Sequence, residues 1–245
     1  MIKFFRKIRQ NLLSEGKTIK YIKYAFGEIV LVVIGILIAL QINNWNEERL
    51  ENNREKITVQ NLHTEFRENL RDLDSIHTIL TRTIKATENV FGKFRKEEYQ
   101  DTNQIDSLLN LVIESPSWKP SEFVLNDLQN SGGLSKLNDT ELKILLFKWS
   151  RFYNELQETM VQSEVTNISL IEYIREHGSL RNIDSRSKAF PYGRSQLKMD
   201  NAQLLQNIQF ENYIDDKLFV LKEAETAYTQ AKLIIQKILE ETTVE

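Results

Sequence analysis

The sequence predicts an all-α protein: one N-terminal transmembrane helix followed by an elongated antiparallel helical bundle of three long helices and two short ones. Three observations predict it. Turn formers are scarce, since 245 residues hold only eight Gly and three Pro, whereas sandwiches, barrels and doubly wound sheets need many punctuated connections. The run IVLVVIGILIAL, from Ile29 to Leu40, contains no polar side chain. Beyond it, apolar residues recur every three or four positions over three long stretches, the period of an amphipathic helix.

Composition removes several chemistries. Cysteine is absent, which excludes disulfides, thiolate metal sites and thiol nucleophiles. Charge is nearly balanced, with 32 basic and 35 acidic side chains, and gives no general affinity for nucleic acid. The balance hides an asymmetry. Residues 1–24 carry Lys3, Arg6, Lys7, Arg9, Lys17, Lys20 and Lys23 against Glu15 alone, so the rest of the chain is net acidic. A short basic end on an acidic body points to a membrane surface or a polyanion.

The apolar run decides for the membrane. Apolar character extends from Tyr24 to Ile42, broken by Glu28 and Gln41, which amounts to about 28 Å of helix. Tyr21 and Tyr24 bracket one side and Trp45 the other, as interfacial aromatics do. The basic flank is N-terminal, so the positive-inside rule puts residues 1–23 in the cytoplasm and residues 46–245 across the bilayer. A cleavable signal peptide fits poorly, because the basic region is long and no small-x-small site follows. A buried core helix is the other reading of so short an apolar run. The expected location is the bacterial inner membrane, single-pass, with the bulk of the chain extracytoplasmic.

The stretch from Gly27 to Glu47, GEIVLVVIGILIALQINNWNE, resembles the N-terminal signature of a bacterial domain-of-unknown-function family of single-pass membrane proteins. Gly27, Glu28, Gly35, Ala39, Gln41, Asn43, Asn44 and Trp45 carry the likeness together with the apolar residues between them. The resemblance is specific over residues 1–50 and loose beyond, around Phe123 to Tyr153. It implies an integral membrane protein with no assigned activity, cofactor or substrate.

Within the span, Glu28 lies about one turn inside the apolar segment, where an ionised carboxylate costs a few kcal/mol unless paired or able to reach the interface. It either meets a partner's basic residue or snorkels to the cytoplasmic headgroups. Gly35 and Ala39 form a small-xxx-small pair through which two helices approach closely, or a chance spacing. Ahead of the span, Phe4, Phe5, Ile8, Leu12 and Leu13 alternate with basic residues at helical spacing. Such a segment lies in the plane of an anionic leaflet or docks a cytoplasmic protein.

Residues 46–56 read as a polar stalk in which Leu50 is the one apolar residue. A bundle over 57–245 follows. Its first helix, over 57–97, carries Leu62, Phe66, Leu70, Leu73, Ile76, Leu80, Ile84 and Phe91. Short helices are expected at 105–113 and from the capping Ser121 to Leu128, separated by Ser115-Pro116-Ser117-Trp118-Lys119-Pro120 and closed by Gly132-Gly133. Asn138 and Asp139 open the second long helix, whose stripe runs Leu142, Leu145, Trp149, Phe152, Leu156, Met160, Leu170, Ile174 and stops at Gly178. In the last helix, over 201–241, Leu221, Ala224, Tyr228, Ala231, Ile235 and Ile238 step as a coiled-coil seam. Three rods joined in sequence would pack antiparallel, with the two short helices at the far end and the loop 178–200 facing the outer leaflet.

That loop is basic: Arg175, Arg181, Arg186, Lys188, Arg194 and Lys198 stand against Glu176 and Asp184, with Phe190, Pro191 and Tyr192 in its middle. Arg181, Arg186, Lys188, Arg194 and Lys198 are thus candidate contacts for anionic headgroups, polymer or an acidic partner, the alternative being a solvated loop. The search for catalysis returns no dinucleotide, P-loop, nucleophile-elbow or zinc-protease motif. Asp74 and His77 form a lone D-x-x-H, short of the paired motifs a di-metal bundle needs. Phe147 to Tyr153 reads as packing rather than a ligand cage. The expectation is a non-enzymatic envelope interaction or scaffold protein, without cofactor or metal. Its partners are the bilayer and either its own copy or an envelope protein. The alternative is a sensory-type ligand-binding module signalling through a partner.

Overall fold

A computed structural model describes residues 18–94, 101–190 and 192–243. The amphipathic reading of residues 1–17, and the side chains of Tyr21, Tyr24 and Pro191, lie outside the described residues. All regular structure among the described residues is helical, with no strand. The chain forms two compact units, residues 1–57 and 58–245, each taken by itself below.

Helix α1 runs from Thr18 to Phe91. No proline interrupts its 74 residues, and it ends where Gly92 donates to the Glu88 carbonyl. In the first unit this helix is nearly all surface, and every large apolar side chain from Ile29 to Leu40 is 39–62% exposed. An 18-residue window there has mean hydropathy 2.5 and is not buried by any of the described residues, which makes it compatible with a membrane span. The polar residues 46–54 continue the same helix, fully exposed.

The second unit buries its apolar stripes in two clusters. One gathers Leu62, Phe66, Leu73 and Leu80 of α1 with Trp118 and with residues of the later helices. The other gathers Ala86 and Val90 of α1 with residues near the far ends of those helices. Helix α2 spans Thr102–Val112, capped by Asp101 accepting from the Asn103 amide. The strap 113–122 is irregular and alternates strictly from Ser115 to Pro120, with Ser115, Ser117 and Lys119 outward and Pro116, Trp118 and Pro120 buried. Helix α3, Phe123–Asn130, has no cap from its own N-cap side chain. Glu65 of α1 supplies one, accepting from the amides of Val124 (3.1 Å) and Leu125 (3.3 Å) and from the Ser121 hydroxyl (2.6 Å). One turn on, Asn69 clamps the Ser121 backbone from both sides, accepting at 2.7 Å and donating at 2.8 Å.

Gly132 then takes a left-handed φ of +71°, open to glycine at no steric cost. It leads into the single turn α4, Gly133–Lys136. Asp139 caps α5, Thr140–His177, with bonds to the Glu141 and Leu142 amides. Helix α6, Leu180–Asp184, is capped by Ser179, and a 3-10 turn over Asn201–Gln206 by Asp200. Helix α7 runs Ile208–Glu241 from Asn207. Its six seam residues, Leu221 to Ile238, are all 0–1% exposed.

Contacts fix levels along these helices. Partners on α1 descend as α7 advances: Lys222 meets Glu88, Lys232 meets Asp74, and Thr242 meets His63. On α5 the same order holds, with Phe210 against Tyr173, Lys217 on Asn167, and Tyr228 beside Met160. Trp149 of α5 packs edge-on against Phe66 of α1 at 5.3 Å.

Two expectations are overturned here. The short helices do not sit beyond the end of the first rod. From α2 the chain travels back along α1, with Glu114 on Arg82 and then Ser121 on Asn69, and Trp149 in the third turn of α5 packs on Phe66 rather than near Phe91. The loop 178–200 therefore lies at the Phe91 end of the second unit, against α2, instead of at the residue-58 end. The reason is the strap, whose two prolines hold ten residues out of helix long enough to return the chain. Two elements, α4 and α6, were also not anticipated.

Candidate functional site

The first unit offers an apolar surface. Trp45 is 62% exposed and carries Arg49 over its ring at 5.8 Å, while Asn43 donates to Glu47 one turn on. A Cβ added at Gly27 or Gly35 would meet nothing within 4 Å, and Ala39, Gln41 and Asn44 are likewise exposed. Glu28 is half-buried within the same segment. These signature residues share one helix and are not gathered into a cavity.

The basic loop is largely engaged with its own chain. Arg194 lies 2.7 Å from the fully buried Asp106 of α2, whose other oxygen accepts from Asn201 at 2.6 Å. Arg186 and Arg194 both donate to Asn103. Arg181 donates to the Gly193 carbonyl. Buried Asn182 accepts from the Ser195 amide and donates to the Met199 carbonyl, tying the loop's two arms. Of the five expected anion contacts, Lys188 and Lys198 alone form no hydrogen bond or ion pair among the described residues. Burial raises the carboxyl pKa of Asp184 in the same loop.

The second unit also holds a cleft of about 830 Å3 between the strap and α5, bordered by Trp118, Tyr153, Leu156, Gln157, Met160 and Asn167 among others. Behind its wall lie two buried titratable groups, Lys217 on Asn167 and Tyr228 beside Met160. Asn167 accepts from Lys217 of α7 at 2.6 Å, and the Glu114 carbonyl accepts at 3.1 Å. Lys217 is wholly buried and both partners are neutral oxygens. Desolvation therefore pulls its pKa down to about 8. Tyr228 donates toward Pro116 and Met160 and accepts from the Trp118 amide; burial pushes its hydroxyl up to about 12. Burial, with the neighbouring Glu65 charge adding to it, raises Glu122 at the foot of α3.

Phe147 is 62% exposed, while Trp149 and Phe152 of the same run are core. Sequence reasoning missed Lys217, yet a signal was present. The seam 221-224-228-231-235-238 extends backwards through 217, 214 and 210 at the same three- and four-residue steps, so a charged residue falls on a core position. Glu65 and Asn69 had no such signal, because their partners lie 52–60 residues away.

Comparison with curated proteins finds no match, and comparison with solved structures finds none. The family model described as "Family of unknown function (DUF6090)" matches residues 28–219. That match takes in most of the apolar segment and the chain as far as the third turn or so of α7, and the protein therefore belongs to this family of unknown function.

Proposed function

We propose that the protein is a non-enzymatic interaction or scaffold protein of the bacterial envelope, anchored by one pass through the inner membrane. Its N-terminus is cytoplasmic and its helical bundle is presented outside. One observation carries the anchor. Ten large apolar side chains between Ile29 and Leu40 are 39–62% exposed, and each would forgo roughly 1 kcal/mol of burial in water, about half the value for a fully exposed side chain. Lipid removes that cost, and a closed helix is the backbone lipid tolerates. A signal sequence or a soluble core helix would need cleavage or a cover, and the segment has no cover among the described residues. In the bundle, α7 runs antiparallel to both α1 and α5, a reading supported by the descending contact order. The seam of α7 serves as an internal coiled-coil-like stripe.

Alkaline phosphatase fused after residue 60 is expected to be active, and green fluorescent protein fused there dark; the opposite pair reverses the topology. Full-length protein resists carbonate extraction. Crosslinking in native membranes is expected to return one reproducible protein partner or a dimer, and a strictly monomeric, partner-free protein removes the scaffold reading. The second reading, a ligand-binding module acting through a partner, is favoured by the cleft beside Trp118.

A further inference from the structure

We propose that the cleft between the strap and α5 is a binding site for a neutral saccharide. This deepens the ligand-binding reading by naming the ligand's chemistry and does not depend on the anchor. Size admits a small ligand: about 830 Å3 falls within the roughly 300–1,000 Å3 of such sites. Charge argues against an ionic one. The cleft's two charged side chains, Lys119 and Glu164, cancel, and Lys217 is sealed behind Asn167. A purely apolar ligand is disfavoured by the hydroxyl and amide groups of Ser163 and Gln157 in the wall.

One feature fits a sugar. Tyr153 stacks on Trp149 at an interplanar angle of 13°, so one ring face is covered while the half-buried ring still borders the cleft. An aromatic face accepts the C–H face of a sugar ring, while amides and hydroxyls take its OH groups.

The test is ligand-observed NMR on full-length protein in nanodiscs, with chitotriose as the neutral probe and glutamate as the charged control. Saturable chitotriose binding is expected with a Kd on the order of 0.1–10 mM. Tyr153→Ala and Gln157→Ala each weaken it about tenfold, whereas Tyr153→Phe and the remote Lys198→Ala leave it unchanged. Gln157 is exposed, so its variant keeps the test valid if Tyr153→Ala folds poorly. Absence of saturation, equal binding of glutamate, or full binding by Gln157→Ala overturns the proposal. Loss of this ligand with a crosslinked partner retained would leave the scaffold reading standing.

Discussion

Lys217 is an ammonium with no counter-charge in contact among the described residues, held by an amide oxygen and a carbonyl inside the second unit. Its pKa falls from 10.5 unfolded to about 8 folded, and stability follows with a definite sign. Below pH 8 both states are protonated and the folded state bears the whole desolvation penalty. Between pH 8 and 10.5 the unfolded chain holds a proton the folded chain has lost, so stability rises with pH. The full gain is about 3 kcal/mol at about 1.4 kcal/mol per unit. Tyr228 acts oppositely: its hydroxyl is raised from 10 to about 12, so stability falls as pH climbs through that window. Denaturant unfolding is thus expected to show rising stability from pH 8 to a maximum near pH 10. Lys217→Met abolishes the rise. The variant also strands two acceptors at about 1–3 kcal/mol, a pH-independent cost, so the slope is the readout; a variant with the wild-type slope refutes the assignment. Gly178 makes a steric prediction. A Cβ there would stand 2.6 Å from the Asn201 oxygen that also accepts from Ser179. Gly178→Ala is expected to lower thermal stability by about 1–3 kcal/mol, and removing the clashing side chain with Asn201→Ala in the same chain recovers none of the lost Asp106 contact.

At the scale of elements, the seams of the long helices were legible because burial repeats every three or four residues. Leu62, Leu73, Trp149, Leu156, Leu221 and Ile235 are all 0–1% exposed. Caps one to three residues from their helix, such as Asp139, were legible for the same local reason. What could not be read is the long-range capping of α3. A strap of alternating buried and exposed residues looks in sequence like a plain connection, and nothing local says that Glu65 and Asn69 hold its end. That clamp decides where α5 begins and so where the basic loop falls. The loop's charges were legible, but their partners, Asp106 and Asn103, lie 83–91 residues away. The cap is expected to contribute about 1–2 kcal/mol through the helix N-terminus and its amides. Glu65→Ala should lower the melting temperature of the second unit by about 2–8 °C. Glu65→Gln, which keeps an acceptor and loses the charge, should fall between the two. A Glu65→Ala protein that melts with the wild type would show that α3 is held by packing alone.

For the whole molecule, the division at residues 57 and 58 separates two patterns of burial. The first unit keeps its apolar side chains outward, while the second buries Leu62 to Val90 within its own two clusters. Neither cluster contains a residue before Thr58, so the core of the second unit needs nothing from the apolar segment. Average stability per residue gives a unit of this size more than enough margin to fold alone. Residues 58–245, expressed without the first unit, are therefore expected to remain in solution after detergent is withheld. Their circular dichroism should be helical, with a single cooperative transition within about 2 °C of the full-length protein in nanodiscs. The Lys217 pH slope should be retained, since Asn167, Glu114 and Lys217 all lie in this unit. Aggregation of the fragment, or loss of its cooperative transition, would mean that the helix before residue 58 supports the bundle directly. The apolar face of Ile29 to Leu40 would then have a protein partner instead of lipid, and the anchor would lose its physical basis.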